Sequence, residues 1–232
     1  MKEAAHPEDH RQIANGWFRA GIFGVSDGLV TNISLILGFA GANPGHSVVR
    51  LAGLAGLVAG GFSMATGEYI SMRAQKELLE YEIEVERKSI AASPEAEQEE
   101  LRTLFVARGI DGDLAARLSE DLMRDPELAL RTHAREELGI DPSATGSPWR
   151  AATTSLIMFA LGAFVPLLPW LWSASGNEAL WSILFCAVAS AAVGAVTGWF
   201  TRRGTIRWAL RQLVVTALAA GVTFWVGRLV GH

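Results

Sequence analysis

The sequence predicts an all-α membrane protein that crosses the bilayer five times and carries one acidic helical insert between its second and third spans. Half of the 232 residues are hydrophobic, 19% are charged, and the mean hydropathy is +0.25, whereas a soluble domain carries about 25% charged residues. The charge is uneven, because residues 74–148 hold 18 of the 24 acidic and 9 of the 20 basic residues, a net charge of −9. This pattern argues against a single soluble globule, and the single cysteine excludes a disulfide framework within one chain.

Five segments are apolar enough to span a membrane, which takes roughly 20 residues of helix. They are 20–42, 51–72, 151–177, 179–201 and 212–227, and the last reaches spanning length if it starts near residue 206. Residues 1–16 are polar and lack the apolar core of a signal peptide. We therefore divide the chain into an N-terminal segment 1–16, spans one and two in 17–73, the insert in 74–148, and spans three to five in 149–232.

The loops set the expected orientation. Four arginines, Arg202, Arg203, Arg207 and Arg211, lie between the fourth and fifth spans, whereas the loop between the third and fourth spans has no basic residue. Basic residues concentrate on the cytoplasmic side of membrane proteins. We expect the N-terminus, the insert and the fourth–fifth loop in the cytoplasm and the C-terminus outside, in a prokaryotic plasma membrane rather than a vacuole because the N-terminal region is short.

The insert is expected to be helical throughout. The second span continues without Gly or Pro out of the membrane, and Ser93 followed by Pro94 is typical of a helix N-cap and first turn. Three further helices are expected at about 94–108, 113–124 and 126–138. Pro166 and Pro169 should kink or break the third span.

Asp27 lies inside the first span. A carboxylate at membrane depth is costly and usually marks an ion or proton path. Asp27, Thr31 and Ser34 are spaced at i, i+4 and i+7, so they form one polar stripe that we expect to face inward. The alternative is an interfacial aspartate that caps a broken helix.

Met64 and Glu68 share a face of the second span, with Met72 further along. A thioether beside a carboxylate suits an intermediate transition metal such as Fe(II) better than magnesium or calcium. The alternative is that both methionines pack in the core and Glu68 marks the membrane interface.

The insert contains a third set of candidates, which three helices could bring together as in di-iron carboxylate bundles. These are Glu82, Glu86, Glu97, Glu100, His133, Glu136 and Glu137. The alternative is a solvated acidic surface. Neither a phosphate-loop motif nor a GxSxG or HExxH motif is present, so we expect no enzymatic activity and neither nucleotide nor nucleic acid as a partner.

Four motifs together resemble the vacuolar iron transporter family: SDGLVTN in the first span, SMATGEYISMRAQ in the second, the glutamate-rich insert, and GAFVPLLPW in the third. The resemblance implies a homodimer of five-span subunits that exports Fe(II), and often Mn(II), from the cytosol in exchange for protons. It also implies a cytoplasmic metal-binding domain and a pore at the dimer interface.

The resemblance also assigns residues. Asp27 and Met64 match the pore aspartate and methionine, and Glu68 lies at the cytoplasmic mouth of the pore. Four residues match glutamates of the metal-binding domain: Glu86, Glu97, Glu100 and Glu137.

The chain departs from the family pattern at Ser89, where many members have glutamate, and at His133 and Ala134, where some have methionine. The imidazole should change ion count or preference, because histidine binds Fe and Zn(II) readily and Mn less well.

The expected ligands are thus Fe(II), Mn(II) and Zn(II), bound or transported, with protons as counter-ions and no covalent cofactor. Metal binding by the insert should weaken below about pH 5, where ordinary carboxylates protonate. Two other functions stay open from sequence: a membrane-anchored metal sensor or storage adaptor without transport, and an exporter mainly of manganese.

Overall fold

The structure, a computed structural model, describes residues 16–137, 139, 146–172 and 176–231, with side chains from residue 20 onward. All regular secondary structure in these ranges is α-helical, as predicted. The helices are α1 (Gly16–Gly41), α2 (His46–Ala92), α3 (Pro94–Ala107), α4 (Gly112–Met123), α5 (Pro126–Glu136), α6 (Pro148–Trp172), α7 (Glu178–Phe200) and α8 (Thr205–Val230).

Five of these helices, α1, α2, α6, α7 and α8, are long and apolar enough to cross a membrane, which confirms the predicted number of spans within the described residues. The shorter helices α3, α4 and α5 lie between the second and third spans, also as predicted. Helix α2 has 47 residues. At 1.5 Å per residue it is about 70 Å long, more than twice the roughly 30 Å of a hydrocarbon core. Its second half therefore extends beyond the membrane, as the sequence predicted.

The chain divides into two compact units. The membrane unit comprises Met1–Ile70 and Pro148–His232, and the insert unit comprises Ser71–Ser147.

Close contact between α1 and α6 organises the membrane unit. A Cβ atom added at Gly28 would lie 2.1 Å from the carbonyl oxygen of Phe159, and one added at Gly162 would lie 2.2 Å from that of Val25. Any larger residue at these two positions would force the helices apart. Small residues at helix contacts are the usual means of close packing in membranes, and here they hold the helix that carries Asp27 firmly in place.

The prediction for the two prolines was a kink or a break of the third span, and the structure shows no break. Helix α6 continues through both Pro166 and Pro169. The missing N–H groups of Pro166 and Pro169 leave the carbonyls of Gly162 and Val165 without a helical donor. At the same turns of α6, the Ser182 hydroxyl of α7 donates to the carbonyl of Pro166 at 2.6 Å and accepts from Trp170 Nε1 at 3.0 Å, which ties α6 to α7.

In the insert unit, α3 packs against α4 through buried Leu101, Phe105 and Ala115. Asp111 and Asp125 cap α4 and α5, since each carboxylate accepts two backbone N–H groups of the first turn. The prediction for Ser93 was only half right: it occupies the N-cap position of α3, but its side chain makes no capping hydrogen bond.

Candidate metal site and polar residues of the spans

Three helices bring four side chains of the insert unit together. Glu86 comes from α2, Glu97 from α3 and His133 from α5, and Glu137 follows directly after α5. His133 Nδ1 lies 3.0 Å from a carboxylate oxygen of Glu86 and 3.8 Å from one of Glu97 and one of Glu137. Residues far apart in sequence thus converge on one imidazole.

The centre of this cluster is buried. His133 is fully buried and Glu86 is 8% exposed. Although His133 Nδ1 and Glu86 Oε1 are 3.0 Å apart, neither makes a hydrogen bond within the described structure, and His133 Nε2 also has no partner there. Buried polar atoms are normally hydrogen-bonded. Atoms that approach one another without a hydrogen bond are the arrangement expected of ligands that converge on a cation.

Burial and mutual repulsion raise the pKa values of the acids. Burial, followed by the charges of Glu137, Glu97 and Glu100, raises the pKa of Glu86 to about 7. The pKa values of Glu97 and Glu137 are raised as well, mainly by burial. Burial lowers the pKa of His133 against the opposing effect of nearby carboxylates. Without a bound cation, these carboxyl groups therefore resist being ionised together.

The cluster can hold a transition metal. Glu86, His133 and Glu137 each offer a ligand atom, and these atoms lie within 4.8 Å of one another. Imidazole nitrogen with carboxylate oxygen suits Zn(II) and Fe(II), whereas calcium and magnesium prefer oxygen alone. Glu97 lies at the edge of this group and is a fourth candidate ligand.

The other candidate residues of the insert are arranged differently. Glu100 is exposed, but its charge raises the pKa values of three acids of the cluster. Glu136 forms an ion pair with Arg108, whose guanidinium also donates to the Glu136 carbonyl. Glu82 is half-buried and is not among the three grouped ligand candidates.

The predicted pore residues lie on α1 and α2. Asp27 is half-buried, and its carboxylate accepts a hydrogen bond from the hydroxyl of Thr31 at 3.3 Å. Met64 and Glu68 are half-buried in the membrane unit. Met72 is half-buried too, two residues beyond the boundary and thus in the insert unit.

The polar stripe of α1 differs from the expected inward orientation. Ser34 is buried, but Thr31 is exposed and Asp27 only half-buried in the single chain. At Thr31 the polar stripe therefore faces away from the other described helices of the same chain. A carboxylate is costly against lipid, and the described part of the chain leaves this stretch of α1 partly open.

Asn32 was not among the site residues predicted from the sequence. It is fully buried, its amide donates to the carbonyl of Ala163 at 2.6 Å, and its Oδ1 lacks a partner within the described structure. The feature of the sequence that could have identified it is an asparagine within an apolar span. Its bond joins α1 to α6 directly beside the stripe of Asp27 and Thr31.

These features define a class of protein: a polytopic integral membrane protein whose helical insert carries a candidate transition-metal site. Residues 18–228 match the VIT family, and the chain belongs to this family. The resemblance seen in the sequence is thereby confirmed, and with it the expectation that the protein is a transporter-family member and not an enzyme.

Curated relatives cover most of the chain. A protein of Acanthamoeba castellanii named vacuolar iron transporter is 35% identical over 219 residues, which are 92% of this chain and 78% of the relative. Proteins named vacuolar iron transporter 1 are each 30% identical: that of Arabidopsis thaliana over 91% of this chain and 85% of its own, and that of Oryza sativa over 99% and 93%.

Proposed function

We propose that the protein exports Fe(II), with Mn(II) as a second substrate, from the cytosol in exchange for protons. Two chains form a pore between them, and the insert unit gathers ions on the cytosolic side. The observation that carries the proposal is the convergence of the buried Glu86 and His133 with the exposed Glu137, whose ligand atoms lie within 4.8 Å of one another, in a chain related to proteins named iron transporters.

The charge of the insert supports a gathering role. Its net charge of −9 attracts cations, and the raised pKa values of Glu86, Glu97 and Glu137 mean that a bound cation relieves their repulsion. Metal and protons compete for the same carboxylate oxygens. A site in this state takes up metal at neutral pH and releases it when protons return.

The exposed face of α1 supports a pore between two chains. Thr31 is exposed and Asp27 half-buried, and a charged group facing lipid costs about 3 kcal/mol on insertion scales. A second copy against this face would enclose both residues in a polar path. Met64 and Glu68 accept the ion at the cytosolic mouth in this proposal, and Asp27 binds it deeper.

Exchange at Asp27 follows from the chemistry of a carboxylate. When the divalent cation binds, the carboxyl proton leaves toward the cytosol. When a proton arrives from the far side, it takes the oxygen and the cation departs outward. Thr31 donates to this carboxylate at 3.3 Å and so keeps it oriented while its occupant changes.

The test is metal transport in proteoliposomes that contain the full-length protein. Uptake of Fe(II), Mn(II), Zn(II) and Ca(II) is measured with and without a pH gradient. We expect Fe(II) transport, accelerated by the gradient, and none of Ca(II). Metal bound by the protein without any transport would instead support a sensor or storage adaptor, and a rate for Mn(II) well above that for Fe(II) would identify a manganese exporter.

A further inference from the structure

Four arginines lie at the connection between α7 and α8 in the membrane unit. Helix α7 ends at Phe200 and α8 begins at Thr205, and all four side chains are exposed: Arg202, Arg203, Arg207 and Arg211, together the arginine patch. Within the described residues none of them forms an ion pair with a carboxylate, and the sequence has no acidic residue after Glu178. The described part of the chain therefore leaves the positive charge of the arginine patch unbalanced.

The backbone that carries the arginine patch is tightly held. A Cβ atom added at Gly198 of α7 would lie 2.8 Å from the carbonyl oxygen of Gly204, and one added at Gly194 would lie 2.5 Å from that of Trp208. A larger residue at either position would force the two helices apart. The N–H of Arg203 also donates to the carbonyl of Gly198 at 3.2 Å. The attachment points of the arginines are thus fixed before any ligand binds, which lowers the entropy cost of binding.

The arginines are arranged to bind a phosphate group. Arg207 and Arg211 are four residues apart on α8, so their side chains are neighbours on one face of the helix. The guanidinium of Arg211 lies 5.1 Å from the centre of the Trp208 ring, and this cation–π contact orients it. Gly204 caps α8 without a side-chain hydrogen bond, so the positive end of the helix dipole adds to the same region. Guanidinium groups bind phosphate oxygens with two parallel hydrogen bonds.

Apolar side chains adjoin the arginine patch. Ile206 is 77% exposed and Leu210 is 57% exposed, and the two form an apolar row of α8 beside the row of Arg207 and Arg211. A soluble phosphate has no use for such a row, whereas a phospholipid presents a phosphate and acyl chains together. Clusters of basic residues next to a membrane span also attract anionic lipids. The combination therefore fits an anionic phospholipid better than a soluble anion.

We propose that the arginine patch is a binding site for an anionic phospholipid. Arg207 and Arg211 bind the headgroup phosphate, and the apolar row of α8 contacts the first part of the acyl chains. Arg202 and Arg203 add the positive charge that favours an anionic headgroup over a zwitterionic one. Because lipid binding needs neither the transported ion nor its direction of transport, this site stands or fails separately from the proposed function.

The test is lipid binding by the purified full-length protein in detergent, measured by native mass spectrometry. Phosphatidylglycerol is titrated beside phosphatidylcholine, whose headgroup carries no net charge. We expect R207Q/R211Q to weaken phosphatidylglycerol binding at least about tenfold, since one basic residue near a membrane surface contributes about fivefold. Binding of phosphatidylcholine should not change. The matched control is R50Q/R228Q, which removes two other exposed arginines of the membrane unit and should bind phosphatidylglycerol as wild type does.

Equal affinity of the wild type for the two lipids would overturn the proposal, and so would unchanged phosphatidylglycerol binding in R207Q/R211Q. An equal loss in R50Q/R228Q would also overturn it, because net charge alone would then explain the binding. Glycerol 3-phosphate at the same concentrations should not displace the lipid; if it does, the arginine patch binds soluble phosphates and the lipid assignment is wrong. If R207Q/R211Q does not fold, R202Q/R203Q decides by the same loss of phosphatidylglycerol binding.

Discussion

The insert and the membrane unit use acidic residues in opposite ways. Residues 74–148 concentrate 18 of the 24 acidic residues, and three helices direct Glu86 and Glu97 toward one buried histidine. The described part of the membrane unit has three acidic residues, and each stands on a different helix: Asp27 on α1, Glu68 on α2 and Glu178 on α7. A cluster of acidic residues suits the capture of a cation. Isolated acidic residues suit its passage, because no single residue supplies all the ligands of the ion.

The two arrangements also differ in what stabilises them. In the insert, burial and mutual repulsion raise the pKa of Glu86 to about 7, so either a proton or a metal ion is needed to compensate the cluster. Within the described residues, Asp27 of the first span accepts one hydrogen bond, from Thr31, and a charge in a membrane-spanning helix costs about 3 kcal/mol. In the proposed function this cost is tolerated because Asp27 serves the ion path.

The largest effect is expected from a substitution that impairs transport through the membrane unit and leaves the insert unchanged. D27N should abolish transport, because the amide keeps the size of the side chain but removes the charge that metal and proton share. Metal binding by the insert should be unchanged. The measurement is Fe(II) uptake in proteoliposomes beside a Zn(II) titration of the same preparation.

The control for D27N is D121N, which removes an exposed acid that pairs with Arg124 in the insert. This variant should transport at the wild-type rate. Transport by D27N at half the wild-type rate or more would remove Asp27 from the mechanism.

The next largest effect is expected from a substitution that impairs metal binding by the insert alone. H133Q should weaken Zn(II) binding by the full-length protein at least about tenfold, since loss of ligands or of their supporting partners costs 10–100-fold in affinity. Glutamine keeps the position polar and similar in volume. Titration in detergent checks this, with E136Q as the control because Glu136 pairs with Arg108. Equal affinity in H133Q and wild type would mean that the imidazole is a structural residue.

The pH dependence of metal binding further distinguishes the insert from the membrane unit. A carboxyl whose pKa is raised to about 7 loses its metal to protons already between pH 8 and pH 6, by up to about tenfold per pH unit for one displaced proton. The structure thus moves the expected weakening upward from the value near pH 5 inferred from sequence. E86Q should flatten this dependence, whereas E120Q, which alters an exposed acid paired with Arg124, should not. An affinity that stays constant down to pH 5 would contradict the raised pKa.

The same raised pKa has a defined effect on stability. Because the folded value of Glu86 lies above its ordinary value of 4.5, its contribution to the stability of the metal-free insert is complete below pH 4.5 and is lost as the pH rises through about 7. The lowered pKa of His133 acts in the opposite direction, as the pH falls below about 6.5. In the proposed function, a metal ion bound at neutral pH replaces the stabilising proton on Glu86.

Much of the fold was predictable from sequence because each signal was local. The apolar segments, the Gly- and Pro-free continuation of α2 and the turn glycines gave the helices directly, as at Gly109, which follows the end of α3 with φ 90°. The continuity of α6 through two prolines was not predictable, because the contacts that hold this part of the helix, such as the Ser182 bond to the Pro166 carbonyl, come from another helix.

The site was predictable in composition but not in arrangement. The sequence identified both Glu86 and Glu136 as candidates, yet only tertiary packing directs Glu86 to His133 and Glu136 to Arg108.

The division between capture and passage is tested most directly by transport kinetics of two variants in parallel. E97A/E100A removes one acid of the cluster and the exposed acid whose charge acts on it. E68Q alters the predicted pore mouth. E95A/E99A is the control, since it removes two exposed acids from the same helix as the first pair. Initial rates of Fe(II) transport are measured against Fe(II) concentration at equal protein density. We predict that E97A/E100A raises the half-saturating concentration several-fold, roughly as for the loss of about 1 kcal/mol of binding, and keeps most of the maximal rate, whereas E68Q lowers the maximal rate. If E97A/E100A loses its maximal rate as completely as E68Q, the insert is an obligatory step or a gate, and the gathering role is wrong.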